Sequence, residues 1–297
     1  MTATTPRVVF VTRETDYERL IARHATRDQA RFFLETRGQR IEDLEARQAQ
    51  FGETLRRARA SVSGDWRQTL VKRTDFDRFL FAPEDIVVAV GQDGLVANVA
   101  KYLDRQPVLG VNPAPDQYDG VLVRLKVDAL ARSLTAALHD DIKTEHRTMV
   151  EATTDAGERL LALNEIFVGH RSHQSARYAL AIGETEENQS SSGLIVASGT
   201  GATGWARSIM EATGNRFVLD PQERAIAYFV REPFPSVSTG TSLRAGKLSD
   251  SSLSVTSRMN DGGTIFADGM EQDFLRFDWG QRLRLSPSDR YLNLVVL

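Results

Sequence analysis

The sequence predicts an α/β N-terminal open-sheet domain over residues 1–125, followed by a β-rich C-terminal domain over residues 126–297. Three observations predict it. Short apolar strands alternate with helical stretches up to about residue 125. Residues 86–90 and 107–111 are near-continuous apolar runs, as buried parallel strands require. Beyond Leu125 the chain breaks into brief alternating segments separated by turn clusters, the pattern of an all-β domain.

The elements follow in order. Residues 7–11 are a β-branched run and a first strand. From 16 to about 60 the chain is rich in Arg, Glu, Gln and Ala, with Leu20, Ile21, Phe32, Phe33, Leu34, Ile41 and Leu44 at helical spacing as the buried face. Gly38 and Gly52 are the candidate breaks. Residues 69–71 are expected as a second strand and 86–90 as a third. A helix follows, with Leu95, Val96, Val99 and Leu103 on its apolar face, and 107–111 is the next strand. A short helix over 127–138 precedes the β-rich part. There, residues 146–152, 158–167, 175–182 and 253–255 alternate, and TTDAG, GETEENQSSSG, NDGG and ADG read as turns. The closing YLNLVVL is apolar and docks as a strand or tail, available to the first domain or to an interface.

Composition narrows the function. The chain of 297 residues is 41% apolar and 26% charged, ordinary for a soluble globular protein. A net charge of -3 gives no electrostatic reason to expect nucleic acid or membrane as a partner. The absence of cysteine removes disulfides, thiolate metal sites and cysteine nucleophiles. The opening MTATTPRVVFV lacks the basic start and apolar middle of a signal peptide, so a cytoplasmic protein is expected.

Three turns carry the chemistry. In DIVVAVGQDGLVANVAKYL, residues 85–103, an apolar strand runs into GQDG and then a helix. Gly91 and Gly94 allow close approach to a phosphate, and the helix presents free N–H groups. Asp93 is out of place against phosphate, but suits a hydroxyl, as general base or orienting acceptor. The plainer alternative is a turn in which Asp93 caps the helix. In ALNEIFVGHRSHQSARYAL, residues 162–180, Asn164 and Glu165 are adjacent polar residues among apolar ones. Neighbours on a strand face opposite ways, so a strand end or bend would aim both at a ligand; a strand-terminal hydrogen-bonded pair is the alternative. His170 and His173 read as surface histidines, since no HExxH helix or partner cysteine accompanies them. In SSSGLIVASGTGATGWARSI, residues 190–209, a strand runs into a loop dense in small and hydroxyl residues, with a helix starting near Trp205. Such a loop suits a nucleotide base or its phosphates, and no GKS or GKT makes it a Walker loop.

Together these motifs resemble those of the NAD kinases, which carry GGDGT after a strand, an Asn-Glu pair, a Gly- and Thr-rich loop and a late DG. Here they read GQDG, ALNE, SGTGATGW and ADG in that order. The mitochondrial type is most similar, through VKRTDFD, PVLGVNPAPDQYDG, ALNEIFVG, SSSGLIVASGTGATGW, YFVREP and NDGGTIFADG, and the missing targeting stretch suggests a bacterial relative. The resemblance implies an NAD kinase-like fold with NAD in the cleft between its domains. It implies transfer of the ATP γ-phosphate, with Mg²⁺ or another divalent cation, to the 2′-hydroxyl of the adenosine ribose. Asp93 would engage that hydroxyl. Asn164 and Glu165 would hold NAD, and Thr200, Thr203 and Trp205 would line the adenine site, Trp205 standing where many relatives have Tyr. Gly91 and Gly94 would lie against phosphate. No metal ligand from the protein is implied, and a homodimer is.

The chain departs from the pattern at GQDGL, where Gln92 replaces a glycine and Leu95 a threonine. If the glycine's backbone has positive φ, glutamine is strained there; its side chain also occupies phosphate space, and a hydroxyl is lost. The alternatives to an active NAD kinase are therefore an NAD-binding sensor or regulator, and a kinase of the same fold with a different acceptor.

Overall fold

A computed structural model describes residues 6–118, 120–139 and 141–296. The opening MTATT and the final Leu297 of the apolar tail lie outside the described residues. The chain divides into two compact units, one reaching Thr144 and taking up the residues from Asn293, the other covering Glu145–Leu292.

The first unit contains β1 (Arg7–Thr12), α1 (Asp16–His24), α2 (Arg27–Glu35), α3 (Ile41–Ala60), β2 (Arg67–Lys72), β3 (Asp85–Val90), α4 (Asp93–Ala100), β4 (Pro107–Val111) and α5 (Leu130–Leu138). Its strands pair in the order β2-β1-β3-β4, all parallel, and Asn293 and Leu294 add a parallel pairing to Pro107 and Val108. Every residue of β3 is buried, which accounts for its unbroken apolar run. The boundary falls later than the change of style at Leu125. Leu130 and Leu134 of α5 are buried with Leu109 and Val111 of β4, so this helix belongs to the first core.

Two expectations for the helical stretch change. Gly38 does end a helix region, at φ 67° between α2 and α3, but Gly52 lies inside the 20-residue α3. A glycine there costs about 1 kcal/mol against alanine. Its neighbours Phe51 and Leu55 pack on the first core, and that burial carries the helix through. Phe32 is 69% exposed rather than buried. The α2 stripe that meets α1 and α3 is Ala30, Phe33 and Leu34, and Phe32 falls outside it.

The second unit contains β5 (Thr144–Thr154), β6 (Arg159–Ala162), β7 (Glu165–His170), β8 (Ala176–Ile182), β9 (Thr185–Ser191), β10 (Leu194–Ala197), α6 (Trp205–Thr213), β11 (Ala225–Val230), β12 (Ala245–Ser249), β13 (Leu253–Ser257), β14 (Gly263–Ala267), β15 (Phe274–Arg276) and β16 (Arg282–Val295). One antiparallel sheet runs β12-β11-β10-β7-β14-β15; in the other, β16, β13, β8 and β9 pair in that order and β5 joins β16 to β6. Both contribute to one core, with Ile166, Val168 and Val196 from the first sheet against Tyr178, Leu180 and Val255 from the second. GETEENQSSSG is not a turn cluster. Its residues 185–191 form β9, paired along seven residues to β8. Its polar composition reflects an edge strand with one wet face, where ladder hydrogen bonds outweigh β propensity. The apolar tail serves the fold: Leu292, Leu294, Val295 and Val296 are all buried within the chain. Among the described residues no helix is long and apolar enough to cross a membrane.

Candidate active site

In the first unit the candidate residues lie at the carboxyl ends of parallel strands, the usual ligand edge of such a sheet. β3 ends at Val90 and α4 begins at Asp93, with Gln92 as N-cap. Asp93 does not cap the helix. Its carboxylate reaches a distant bend: Oδ1 accepts the N–H groups of Leu122 (2.8 Å) and Val123 (3.0 Å), and Oδ2 that of Val121 (2.9 Å). The bend can lie there because Gly110 has no side chain; a Cβ at Gly110 would overlap the Leu122 carbonyl. A carboxylate offers about four lone-pair positions. Three are used, which leaves one on Oδ2 open to a further donor.

The strain anticipated at Gln92 is absent. Its φ is -104° and ψ 168°, an extended conformation open to any residue. Its amide oxygen accepts a hydrogen bond from Arg13 Nη2 at 2.6 Å. Leu95 is 0% exposed, so the position that holds threonine in GGDGT contributes here to the core. Gly91 is packed, with an added Cβ 3.0 Å from Leu95 Cδ2, whereas Gly94 has open space around its Cα.

The second unit places Asn164 at a bend between β6 and β7 and Glu165 at the first position of β7. Asp268, just past the end of β14, holds that bend as Asp93 holds the other. Its Oδ1 accepts from the N–H groups of Asn164 (2.7 Å) and Glu165 (3.3 Å), and its Oδ2 from that of Leu163 (2.9 Å). Asp268 has φ 50°, a conformation that aspartate tolerates better than most residues. The bend is clamped a second time by Ser198. Its N–H donates to the Asn164 carbonyl at 2.9 Å, and its hydroxyl donates to the Leu163 carbonyl. Gly201 comes so close that a Cβ would strike the Asn164 carbonyl. With the backbone fixed, the side chains of Asn164 and Glu165 are half-buried and have no hydrogen-bond partner among the described residues. Half-buried polar groups of this kind are open to a ligand or to water.

The Thr-rich loop continues from β10. Thr200 is 3% exposed, and its hydroxyl accepts from Arg147 Nη1 at 3.4 Å, so it fixes the loop from behind. Thr203 is exposed and donates to the Thr200 carbonyl at 2.9 Å. Trp205 opens α6 and stacks on Phe167, with ring centroids 6.2 Å apart at 10°. Phe167 in turn stacks on Phe266 at 4.8 Å, and the Arg231 guanidinium lies 5.3 Å over the Trp205 ring. These rings wall a cavity of about 610 Å³ that also takes in His170 and Thr264. Along β7, residues alternate faces, so Glu165 and Phe167 share one. His170 accepts the Ser172 N–H through Nδ1 at 3.1 Å, and His173 is exposed. Among the described residues no three His, Asp or Glu side chains gather to hold a metal.

The Glu165 carboxyl is pushed up to about 7, first by burial and then by the Asp268 charge. Below pH ~4.5 the group is protonated folded and unfolded alike, so it contributes nothing. Between ~4.5 and ~7 the unfolded chain ionises it while the folded chain keeps the proton, and stability falls; above ~7 the full penalty stands. Glu165→Gln is therefore expected to raise the thermal midpoint at pH 8 and leave it unchanged at pH 4.5. An equal shift at both would show that the carboxyl is not held in this environment.

Asp268 is the residue that the sequence left without a role. The signal was present: ADG repeats the strand-then-Asp-Gly form of GQDG. What the sequence does not carry is that each carboxylate faces a bend over 25 residues away in the chain.

Fold and site together define the class, a two-unit protein whose two Asp-Gly turns each anchor a bend. Solved structures share the fold. The crystal structure of an NAD kinase from Archaeoglobus fulgidus in complex with ATP superposes with a TM-score of 0.59 at 19% identity, covering 98% of this chain and 94% of that one. The crystal structure of yeast NADH kinase complexed with NADH superposes with a TM-score of 0.59 at 16% identity, covering 99% and 84%. The chain has the NAD kinase fold. In sequence it is similar to human mitochondrial NAD kinase 2, at 28% identity over 186 residues (47% of this chain, 42% of the relative). It is similar also to the NAD kinase of Psychrobacter arcticus, at 31% over 171 residues (53% and 50%). The chain spans about half the length of the curated relatives it matches. No family model matches it.

Proposed function

We propose that the chain is an NAD kinase that moves the γ-phosphate of ATP to the 2′-hydroxyl of the adenosine ribose of NAD, giving NADP and ADP. The observation that carries this reading is the bend at Asn164 and Glu165: its backbone is clamped by Asp268 and Ser198, and neither side chain has a hydrogen-bond partner among the described residues. Similarity to NAD kinases in sequence and fold supports the choice of substrates.

In this mechanism Asn164 and Glu165 hold the dinucleotide. The Trp205–Phe167 shelf receives a flat ring, for which stacking is favourable by about 1–3 kcal/mol per base. Thr203 offers an acceptor beside it. Asp93 Oδ2 accepts the 2′-hydroxyl proton as the hydroxyl oxygen bonds to the γ-phosphorus and the β–γ bridging oxygen leaves with ADP. Gly94 keeps the backbone of the turn open to phosphate, while Gly91 makes room for Leu95. The residues fit a divalent cation only as part of the nucleotide. No three-carboxylate cage is present among the described residues, and Mg²⁺ commonly binds phosphate oxygens and water with few protein ligands. When bound it would neutralise charge on the transferring phosphoryl group. Gln92 does not count against activity, since its backbone is unstrained and its side chain is taken by Arg13.

Incubation of the purified protein with ATP, Mg²⁺ and NAD is expected to yield NADP, read by a coupled NADP-specific dehydrogenase. Absence of product, with NAD binding retained in calorimetry, would replace the kinase reading by that of an NAD-binding regulator.

A further inference from the structure

The carboxyl edge of the first unit's sheet carries positive charge that the reaction above does not use. β1 and β2 end in register, Thr12 beside Lys72. The residues that follow, Arg13 and Arg73, line a narrow cavity together with Lys72, Arg19, Glu14 and Thr74. Four cations thus surround one carboxylate. Arg19 is neutralised by an ion pair with Asp16. The other three have no carboxylate partner among the described residues. Two of these three are nevertheless held in place by neutral amides. Arg13 Nη2 donates to Gln92 Oε1 at 2.6 Å, and Arg73 Nη1 donates to Oδ1 of the buried Asn98 at 3.3 Å. An amide oxygen orients a guanidinium without cancelling its charge. Surfaces ordinarily intersperse the two signs, because adjacent like charges repel. Oriented, uncompensated cations at the ligand edge of a parallel sheet, with the start of α4 alongside, fit a polyanion.

We propose that Arg13, Lys72 and Arg73 bind the linear triphosphate of the phosphoryl donor, and that the Arg13–Gln92 hydrogen bond does here what a glycine-lined cradle does in GGDGT. A guanidinium fixed by Gln92 supplies phosphate donors that a bare glycine backbone would otherwise supply. Gln92 is then a positioning residue for Arg13. The donor's identity as ATP rests on the NAD kinase reading; the existence of a triphosphate site does not.

The test is calorimetric binding to the full chain of four probes separately: ATP, sodium tripolyphosphate, adenosine and NAD. Lys72→Glu and Arg13→Gln are compared with the unaltered protein. Lys72 is exposed and has no carboxylate partner among the described residues, so its variant keeps the fold, and it carries the test alone if Arg13→Gln fails to fold. Loss of one charge-assisted contact corresponds to about tenfold in affinity. Both variants are expected to bind ATP and tripolyphosphate at least about tenfold more weakly, with NAD and adenosine unaffected. Equal weakening for both triphosphates assigns the site to the phosphates; weakening for ATP with no tripolyphosphate binding at all makes the nucleotide the required source. Unaltered triphosphate affinity in both variants, or no triphosphate binding by the parent, overturns the proposal. Failure of the kinase reading is distinguishable: a parent protein that binds triphosphate here and makes no NADP keeps the site and loses the reaction. Variants that make NADP at an unchanged KM for ATP keep the reaction and lose the site.

Discussion

Asp93→Asn is expected to lower NADP formation by about 10²–10⁴-fold, the range lost with a positioned general base. The substitution keeps shape and removes the anion. The amide oxygen still accepts from two of the three N–H groups of the bend at Val121, Leu122 and Val123, but the amide nitrogen then faces the third. That mismatch costs about 1–3 kcal/mol, so a urea titration should also show a lower midpoint. The two effects answer different questions. Reduced stability with full turnover would make Asp93 an anchor for the bend and nothing more. Lost turnover with NAD binding kept is the outcome expected if Oδ2 takes the hydroxyl proton.

Asp268→Ala is expected to be the most disruptive change in the second unit. It leaves the N–H groups of Leu163, Asn164 and Glu165 without their acceptor, and water can serve only part of a half-buried bend. A loss of about 3 kcal/mol follows from unsatisfied donors at about 1–3 kcal/mol each. NAD affinity should fall at least tenfold, since Asn164 and Glu165 lose the backbone that aims them. Asp268→Asn separates charge from shape. Asparagine also accepts the left-handed backbone at this position, so the bend is largely kept. Removing the negative charge leaves burial as the cause of the raised Glu165 carboxyl, which should then titrate below about 7. An NAD affinity and melting temperature that Asp268→Ala does not change would remove the clamp from the mechanism.

Much of the first unit was legible because its signals are local. The apolar runs that became β1, β3 and β4 and the glycine at the end of α2 depend on neighbours within a few residues. The expected second strand became β2, and the helix expected near Trp205 begins at that residue, for the same reason. Errors arose where long-range packing decides. α3 runs through Gly52 because Phe51 and Leu55 are buried, Phe32 is left exposed by the angle at which α2 meets its neighbours, and β9 exists because β8 offers it a ladder.

Residue types and their order set the chemistry available to this protein: an aspartate between two glycines after an apolar strand, an adjacent Asn-Glu pair, a hydroxyl-rich loop, and no cysteine. Tertiary structure alone decided how those groups are used. It bonds Asp93 and Asp268 each to the three amides of a remote bend, leaves the side chains of Asn164 and Glu165 without a hydrogen-bond partner among the described residues, relaxes Gln92 into an extended backbone and gives its oxygen to Arg13. The physical reason is that a side chain's lone pairs and charge are set by residue type, whereas what they face is set by contacts between segments far apart in the chain. Asp93 and the amide of Leu122, or Asn164 and Asp268, meet only once the strands that carry them have paired.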